Sequence, residues 1–435
     1  MSASERDRFG NPIAPGLAYA RGEVVPGTAA DLAKLEQAWR QVRERLHAGG
    51  RNAVFQLSGL ERVMRVDPAK LADLDDELAP VLYGEALDAL GLEHLGGDPG
   101  RHAVLLLNRL TAALLAAADV MIEPGDTVLG VSARYSHPAV VRAAAHGGGQ
   151  FRDCVGADGF AQALAGLGKV DVVFLTRLAV SYEILPLDDI RRVIALAREA
   201  GARIIVDDAG GARVGPAVFD QPRSLELDVD VAATGLDKYG TEGPRLGLLG
   251  GRRELVEAIR ARAYELGVEA RPMLYPAVVR SLERYRPERV RELVDSTRAV
   301  AAALRARLGA ERLFETPVTV QIRGEDLLEM LMARSRLNDP PVVPYEATAG
   351  LAMLLLRDYG VFTVHFAGLP PGTSALMIKF VPPETLARFG GAERLAEAID
   401  ASIDELARVV AEPGALRALL LGADATSEVR VEARV

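Results

Sequence analysis

The segment ARIIVDDAGGARVG, residues 202–215, is the part of the sequence that decides the fold. It starts with a short apolar run that ends on two aspartates, and it continues into small residues suited to a turn. An apolar run without polar alternation is typical of a strand in a parallel sheet that helices cover on both faces. We therefore predict a buried strand over 202–208 whose carboxyl end carries Asp207 and Asp208.

Similar apolar runs, separated by stretches with helical spacing, occur on both sides of this segment. The pattern predicts an α/β fold with a large domain over 65–275, which has a mostly parallel sheet, and a smaller α/β C-terminal domain over 276–435. Residues 1–64 form a separate N-terminal segment or arm in this prediction. The predicted strands of the large domain are 101–108, 127–133, 170–176, 202–208, 229–235 and 246–251.

Composition limits the kinds of function that the chain can have. Of its 435 residues, 49% are hydrophobic, which is enough for a sizeable core. The net charge of −9 disfavours a nucleic-acid surface, which is normally basic. No apolar stretch is long enough for a membrane span, and the segment MSASERDRFGNPIAPG lacks the apolar core of a signal peptide, so we expect a cytoplasmic protein. The single cysteine, Cys154, excludes a cysteine-built zinc site, and we predict no metal.

Polar residues follow the predicted strands over 101–108 and 202–208. They indicate a ligand site, because ligands in open α/β sheets bind beyond the carboxyl ends of the strands. LLLNRLTAA (105–113) runs from a strand into a helix, whose free N–H groups and Thr111 hydroxyl suit an anion; capping by threonine is the alternative. Farther along, a buried Asp207 needs a cation or dense hydrogen bonding. For Asp208 we expect helix capping or solvation in the loop.

The third strand end carries Lys238, in TGLDKYGTEGP (234–244). The chain has 46 arginines and only five lysines, so a lysine at this position calls for chemistry that arginine lacks. An amine can lose its proton and form a Schiff base with a carbonyl, whereas a guanidinium effectively cannot. A solvated loop lysine is the alternative interpretation.

A phosphate cradle, an aspartate and a Schiff-base lysine are the protein groups that pyridoxal 5'-phosphate requires. Their order along the chain resembles that of the fold-type I, or aspartate aminotransferase-like, enzymes that use this cofactor. VDDAGG (206–211) resembles the VDDAHG segment of several branches of that superfamily, and TGLDKYGTEGP resembles the S-x-DK-x-x-GGP context of the selenocysteine synthase-like branch. With YSHPAVVRAAA (135–145) and YELGVEARPML (264–274), the chain is similar to the archaeal-type selenocysteine synthase-like proteins.

The resemblance implies a role for each of several residues. Lys238 would hold the cofactor aldehyde as a Schiff base and move the proton at the substrate α-carbon, and Asp207 would pair with the pyridine nitrogen. His137 would stack on the cofactor ring, with Tyr135 as the alternative or as a substrate contact. The phosphate ligands would be Thr111, Thr234 and the backbone of Arg109 and Leu110, while Arg245 and Arg271 would bind the phosphate or an anionic substrate, unless they are solvated surface arginines.

Two positions depart from the pattern of the superfamily. Many fold-type I enzymes clamp the substrate carboxylate with an arginine on a late strand, and SALMIKFVP (374–382) has Met377 at that position. Lys379 lies two residues on, which is the same face of a strand, and it offers a point charge in place of a bidentate fork. Gly210 stands where the DDAHG enzymes have histidine.

Three hypotheses about function remain open at this point. The first is a lyase or β-replacement transferase acting at Cα or Cβ of an amino acid, the second an aminotransferase, and the third a catalytically silent protein that binds pyridoxal phosphate. The resemblance also implies a homodimer or higher homo-oligomer. Segment 268–285 mixes apolar residues, tyrosines and arginines as interfaces do, although a helix packed within one chain fits the same pattern.

Overall fold

The computed structural model describes residues 5–366, 369–412 and 414–423, which form two compact units. Leu60–Arg291 form the central unit, and the residues up to Gly59 together with those from Glu292 onward form the terminal unit. The N-terminal segment, which we predicted to be separate, shares a hydrophobic core with the C-terminal part: Val25 and Leu57 pack in one cluster with Leu354.

Twelve strands occur in the described residues, most of them in the central unit. They are, in chain order, β1 (Phe55–Gln56), β2 (His102–Leu107), β3 (Thr127–Ser132), β4 (Gln150–Val155), β5 (Val172–Thr176), β6 (Arg203–Asp207), β7 (Val231–Gly235), β8 (Gly247–Arg252), β9 (Phe314–Thr316), β10 (Thr319–Arg323), β11 (Val361–Phe362) and β12 (Ala375–Lys379).

Fifteen α-helices connect and cover these strands within the described ranges. They are, in chain order, α1 (Thr28–Gly49), α2 (Leu78–Leu95), α3 (Leu110–Met121), α4 (Pro138–His146), α5 (Gly156–Leu167), α6 (Leu187–Glu199), α7 (Gly211–Val218), α8 (Arg253–Leu266), α9 (Tyr275–Glu283), α10 (Pro287–Leu308), α11 (Gly324–Ser335), α12 (Pro344–Tyr359), α13 (Pro383–Phe389), α14 (Ala392–Ala411) and α15 (Ala415–Leu421). None of the helices in these ranges combines the length and apolar character needed to cross a membrane.

The central unit is built on a seven-stranded sheet with the order β2-β8-β7-β6-β5-β3-β4. Strand β8 runs antiparallel to β2 and β7, and all other neighbouring pairs are parallel. The predicted α/β fold with a mostly parallel sheet is therefore confirmed. Six of the seven strands coincide with predicted ones. The exception, β4, lies at the sheet edge with most of its side chains partly or fully exposed, so its sequence has no apolar run.

Helices cover both faces of this sheet, and the two faces have separate cores. Ile205 of β6 and Ala233 of β7 pack with the alanines of α3, in a layer that also holds α4 and α8. Val206, which follows Ile205, and Ala232, which precedes Ala233, pack in the opposite layer with α5 and α6. Because side chains alternate along a strand, Asp207 belongs to the face that α3 covers.

The terminal unit contains a small antiparallel sheet with the order β12-β10-β9 and a two-stranded pair of β1 and β11. Its core is formed mainly by α12, in which thirteen of sixteen residues are buried, and by the apolar face of α14. This is the smaller α/β part that the sequence predicts, completed by the N-terminal segment.

Candidate cofactor site

Lys238 lies at the carboxyl end of β7, in the loop that leads to β8. Its backbone forms an isolated antiparallel bridge with Leu60, and the Thr241 hydroxyl donates to its carbonyl oxygen at 2.8 Å. The side chain passes over Gly235, where a β-carbon would lie 2.8 Å from Cε and 3.1 Å from Nζ of the lysine. Glycine at position 235 therefore leaves the space through which the amine reaches the sheet edge.

Burial of Lys238 favours loss of its proton, and the charges around it act in both directions. Its side chain is 19% exposed, and Nζ lies 3.8 Å from the carboxylate of Asp237. Burial lowers the pKa of the Lys238 amine, and the charges of Arg213 and Arg245 act in the same direction. The carboxylates of Asp237 and Asp207 oppose this shift. The neutral amine is the form of lysine that reacts with carbonyls, and a lowered pKa increases the fraction of Lys238 in that form.

Asp207 is the last residue of β6 and is 4% exposed. Its carboxylate accepts a hydrogen bond from the Ala209 backbone N–H, while Oδ1 is buried with no hydrogen-bond partner among the described residues. Burial raises the pKa of Asp207 to about 7; the charge of Asp208 adds to this rise, and that of Lys238 opposes it. A buried carboxylate with an unpartnered oxygen fits a ligand that presents a cationic N–H group.

Asp208 has a different environment from the one that we predicted. We expected capping or solvation, but the residue is fully buried and forms an ion pair with Arg177, whose Nε lies 3.0 Å from both carboxylate oxygens. The Ser224 hydroxyl also donates to it at 2.6 Å. Alternation along the chain turns Asp208 away from the face of Asp207 and into the layer below the sheet, where a cation had to accompany it.

The predicted phosphate cradle is the start of α3. The first helical hydrogen bond is donated by Ala113 to the carbonyl of Arg109 at 3.3 Å, so the N–H groups of Leu110, Thr111 and Ala112 precede the helical ladder. Arg109 has a φ of 82°, which turns the chain sharply into the helix. Free N–H groups at a helix start, aligned with its dipole, favour a phosphate.

The loop before β8 places Arg245 beside this cradle. Gly247 permits the approach, because a β-carbon there would lie 2.7 Å from the carbonyl oxygen of Arg109. Burial lowers the pKa of Arg245 to about 10, and the neighbouring guanidiniums of Arg109 and Arg62 contribute in the same direction, against Asp237. Like charges gathered at a partly buried position favour an anionic ligand.

His137 is the residue before α4, and its Nδ1 accepts a hydrogen bond from the Ala139 N–H at 3.0 Å. Burial lowers the pKa of His137 to about 4, with the charge of Lys238 as the next cause. The imidazole is therefore neutral at physiological pH, and the charge of the Lys238 amine influences it. Tyr135, in the same loop, is partly buried.

Thr234 does not lie where a phosphate ligand is needed. Its neighbour Ala233 is the strand partner of Asp207 and shares its face, so Thr234 points into the opposite layer. The side chain is fully buried, with its hydroxyl 3.5 Å from the Ala209 carbonyl oxygen. We therefore leave Thr234 out of the phosphate site.

Tyr239 accounts for the glycine at position 210. A β-carbon on Gly210 would lie 2.7 Å from the ring of Tyr239 and 2.9 Å from Leu178, so the tyrosine ring lies against the position from which a larger side chain would extend. Tyr239 also hydrogen-bonds to the hydroxyl of Tyr182. In the sequence, Tyr239 is visible only as the residue after Lys238. Nothing in the sequence indicates that its ring packs against Gly210.

The remaining predicted substrate residues are Arg271 and Lys379, which lie in different units. Arg271 is exposed on the central unit, where it pairs with Asp76. Lys379 and Met377 are buried on β12 of the terminal unit. Among the residues that the prediction missed, Thr176 stands out: it is the strand partner of Asp207, and its buried hydroxyl has no hydrogen-bond partner in the described residues. The described residues contain no group of three or more His, Cys, Asp or Glu side chains suited to a metal.

Comparison with known proteins finds a similar sequence and similar folds. A UPF0425 pyridoxal phosphate-dependent protein of Methanothermobacter thermautotrophicus is 30% identical over 347 residues, which cover 80% of this chain and 86% of the relative. No protein-family model matches the chain. Two solved structures share its fold. Serine palmitoyltransferase of Sphingomonas wittichii has a TM-score of 0.52 at 17% identity, covering 86% of this chain and 84% of that one. Aspartate aminotransferase of Thermotoga maritima has a TM-score of 0.52 at 15% identity, covering 84% of this chain and 97% of that one.

The mostly parallel sheet and the two structural matches show the fold of the fold-type I enzymes, as the sequence predicts, and the 30% identical relative places the chain in the pyridoxal phosphate-dependent class. Within that class, the chain belongs to the UPF0425 family of pyridoxal phosphate-dependent proteins. Placement in the selenocysteine synthase-like branch stays a prediction.

Proposed function

We propose that the chain is an enzyme acting at Cα or Cβ of an amino acid or amino-acid-like substrate, as a lyase or a β-replacement transferase of the selenocysteine synthase-like branch. Its cofactor is pyridoxal 5'-phosphate, as in the family to which it belongs. The observation that carries the proposal is the pairing of a buried, unpartnered Asp207 oxygen with a Lys238 amine of lowered pKa at the carboxyl edge of one sheet.

The residues of this edge fit the cofactor in both charge and hydrogen bonding. When bound, the cofactor supplies an electron sink for the bonds at the substrate α-carbon. Asp207 would hold the proton of the ring nitrogen, and the start of α3 would receive the phosphate, with Arg245 beside it. The neutral His137 would cover the ring, and Lys238 would bind the aldehyde and exchange the proton at the substrate α-carbon.

The choice of reaction rests on the position at which fold-type I enzymes often place a carboxylate-binding arginine. Met377 occupies that position, and its side chain is buried on β12 of the terminal unit. A thioether offers no donor for a carboxylate. Lys379, on the same face of β12, offers a single point charge in place of a bidentate fork. We therefore favour a lyase or β-replacement reaction over transamination of a standard amino acid.

A panel of amino acids tests this choice. We expect the purified holo-protein to change its visible spectrum with a subset of the panel and to release ammonia and a keto acid, or to exchange the β-substituent, without an amino acceptor. A reaction that proceeds only when a keto acid is added would instead identify an aminotransferase. Absence of a spectral change with every amino acid would indicate a silent binding protein.

We also propose that the chain forms a homodimer through an apolar patch on the central unit. The patch is formed by the segment Pro68–Leu74, the start of α2 and the segment Pro272–Leu274, which pack against one another. Its exposed apolar side chains are Leu71, Leu78, Val81, Leu82 and Met273. The ion pair of Arg271 and Asp76 borders these segments and offers both signs of charge, so a second copy related by a twofold axis is complementary to it.

Substitution of the patch tests the dimer. We expect light scattering to show a dimer for the parent and a monomer for Val81→Glu, because dimerisation would bury the new carboxylate without a partner in an apolar interface. Val155→Glu, at an exposed apolar side chain of the edge strand β4, is the matched control and should remain dimeric.

If Arg271 reaches the partner's site, mixing Arg271→Ala with Lys238→Ala should restore part of the activity. An active parent monomer would contradict the proposal.

A further inference from the structure

Arg213, on α7, is a buried cation to which the proposed function assigns no role. Like Arg177, it is fully buried, but Arg177 has Asp208 as its counter-ion. Arg213 forms no ion pair with any described residue, and its Nε is buried without a hydrogen-bond partner there. Burial lowers the pKa of Arg213. A buried guanidinium without a directly paired carboxylate costs stability, so its retention calls for another role.

The contacts of Arg213 connect the two segments that carry the cofactor residues. Its Nη2 donates to the carbonyl of Ala209 at 3.1 Å and to that of Gly235 at 2.7 Å. Ala209 is the residue whose N–H bonds to the Asp207 carboxylate, and Gly235 is the residue over which the Lys238 side chain passes. One guanidinium thus holds together the turn after β6 and the end of β7.

His94 is the third contact of Arg213, and it does not neutralise the charge. Nη1 of the arginine lies 3.2 Å from Nε2 of the imidazole. Burial lowers the pKa of His94 to about 3, with the charges of Arg213 and Arg223 as further causes. The ring is therefore neutral and accepts from Arg213 through Nε2. It also packs edge-on against Tyr285, which fixes its orientation.

We propose that Arg213 is a positioning residue of the cofactor site, which fixes the end of β7 against the turn after Asp207 and keeps a positive charge near the Lys238 amine. This inference rests on the proposed function of Lys238. The charge of Arg213 is one of the causes that lower the pKa of that amine. The guanidinium itself is influenced by Tyr285, Tyr239, Asp208 and Asp237, and the amine by Asp237, Arg245 and Asp207.

The five lysines of the chain allow a direct test that needs no cofactor. In the full-length chain freed of cofactor, the rate at which each lysine reacts with acetic anhydride can be followed against pH by mass spectrometry. Lys70, which is exposed, serves as the internal reference. We expect Lys238 to reach its half-maximal reactivity at a lower pH than Lys70. In Arg213→Met the midpoint of Lys238 should rise by about one pH unit, because a neighbouring positive charge is removed.

Two further variants separate this role from a purely structural one. Arg213→Lys keeps the charge, so the Lys238 midpoint should stay within about 0.3 pH unit of the parent. Pyridoxal phosphate should dissociate faster, because one ammonium nitrogen cannot contact both carbonyl oxygens and also His94, which the guanidinium reaches through its second nitrogen. The matched control is Arg198→Met, which removes an arginine bound to Asp230 at the opposite end of β7 and should leave the Lys238 midpoint unchanged.

Each outcome decides the proposal. An unchanged Lys238 midpoint in a folded Arg213→Met chain overturns it. If that variant does not fold, Arg213→Lys decides: a midpoint that rises by a full pH unit, or cofactor retention equal to the parent, overturns the proposal. The titration uses the cofactor-free chain and therefore does not depend on the proposed function. Failure to find a pyridoxyl group on Lys238 would refute the proposed function, but the effect of Arg213 on the Lys238 midpoint could still be measured.

Discussion

Replacement of Lys238 with alanine should abolish the visible absorbance of the holo-protein and lower its activity at least about a thousandfold, because the group that binds the aldehyde and exchanges the proton is lost. Borohydride treatment of the parent, followed by peptide mapping, should leave the pyridoxyl group on Lys238. Lys238→Ala should still bind pyridoxal phosphate reversibly, since the start of α3 is unchanged.

Lys238→Arg is the sharper control for this prediction. Arginine keeps a positive charge over Gly235 but cannot form an imine, so the variant should lose the covalent bond as completely as alanine does. The other four lysines offer an internal check. A pyridoxyl group on Lys34, Lys70, Lys169 or Lys379 would contradict the assignment, as would full activity in Lys238→Arg.

Asp207→Asn should have two effects of opposite sign. The amide cannot hold the ring nitrogen as a protonated, charged group, so cofactor affinity should fall by about 3–5 kcal/mol, or a hundredfold to a few thousandfold in Kd. The cofactor-free variant should nevertheless be more stable than the parent at pH 8, because a buried carboxylate that is ionised without a cation has been removed.

The pH dependence follows from the pKa of Asp207, which is about 7 in the folded chain against an ordinary value of 3.8. Because the folded state binds this proton more tightly, the stabilising contribution is complete below about pH 3.8 and is lost as the pH rises through 7. At about 1.4 kcal/mol per pKa unit, the loss is on the order of 4 kcal/mol by pH 8. Asp207→Asn should remove this dependence.

Urea unfolding of cofactor-free parent and variant at pH 5 and pH 8 measures these effects. The stability advantage of Asp207→Asn should be larger at pH 8 than at pH 5. Asp208→Asn is the matched control: it should destabilise the chain at both pH values, because Arg177 is left buried without its carboxylate. An Asp207→Asn protein that binds pyridoxal phosphate as tightly as the parent would show that another group serves the ring.

The elements that the sequence predicts well are those whose pattern is local. Strand β6 extends over Arg203–Asp207 against a prediction of 202–208, and β5 over Val172–Thr176 against a prediction of 170–176, because continuous apolar runs reflect burial directly. Strand β4 was missed because an edge strand is largely exposed and needs no apolar run. The grouping of the N-terminal segment with the C-terminal part depends on packing between residues about 300 positions apart, such as Leu57 and Leu354.

The sequence by itself determined the fold class, and it selected Lys238 and Asp207 as the central candidates for the site by residue type and by their place after apolar strands. Only the tertiary structure decided which neighbours they have. Asp208 differs from Asp207 by one position, yet alternation along the strand gives it Arg177 as a partner and leaves an oxygen of Asp207 without one. In the sequence Arg213 is one arginine among 46, and its proposed role at the site depends on the contact of α7 with two carbonyl groups, one in the turn after β6 and one at the end of β7.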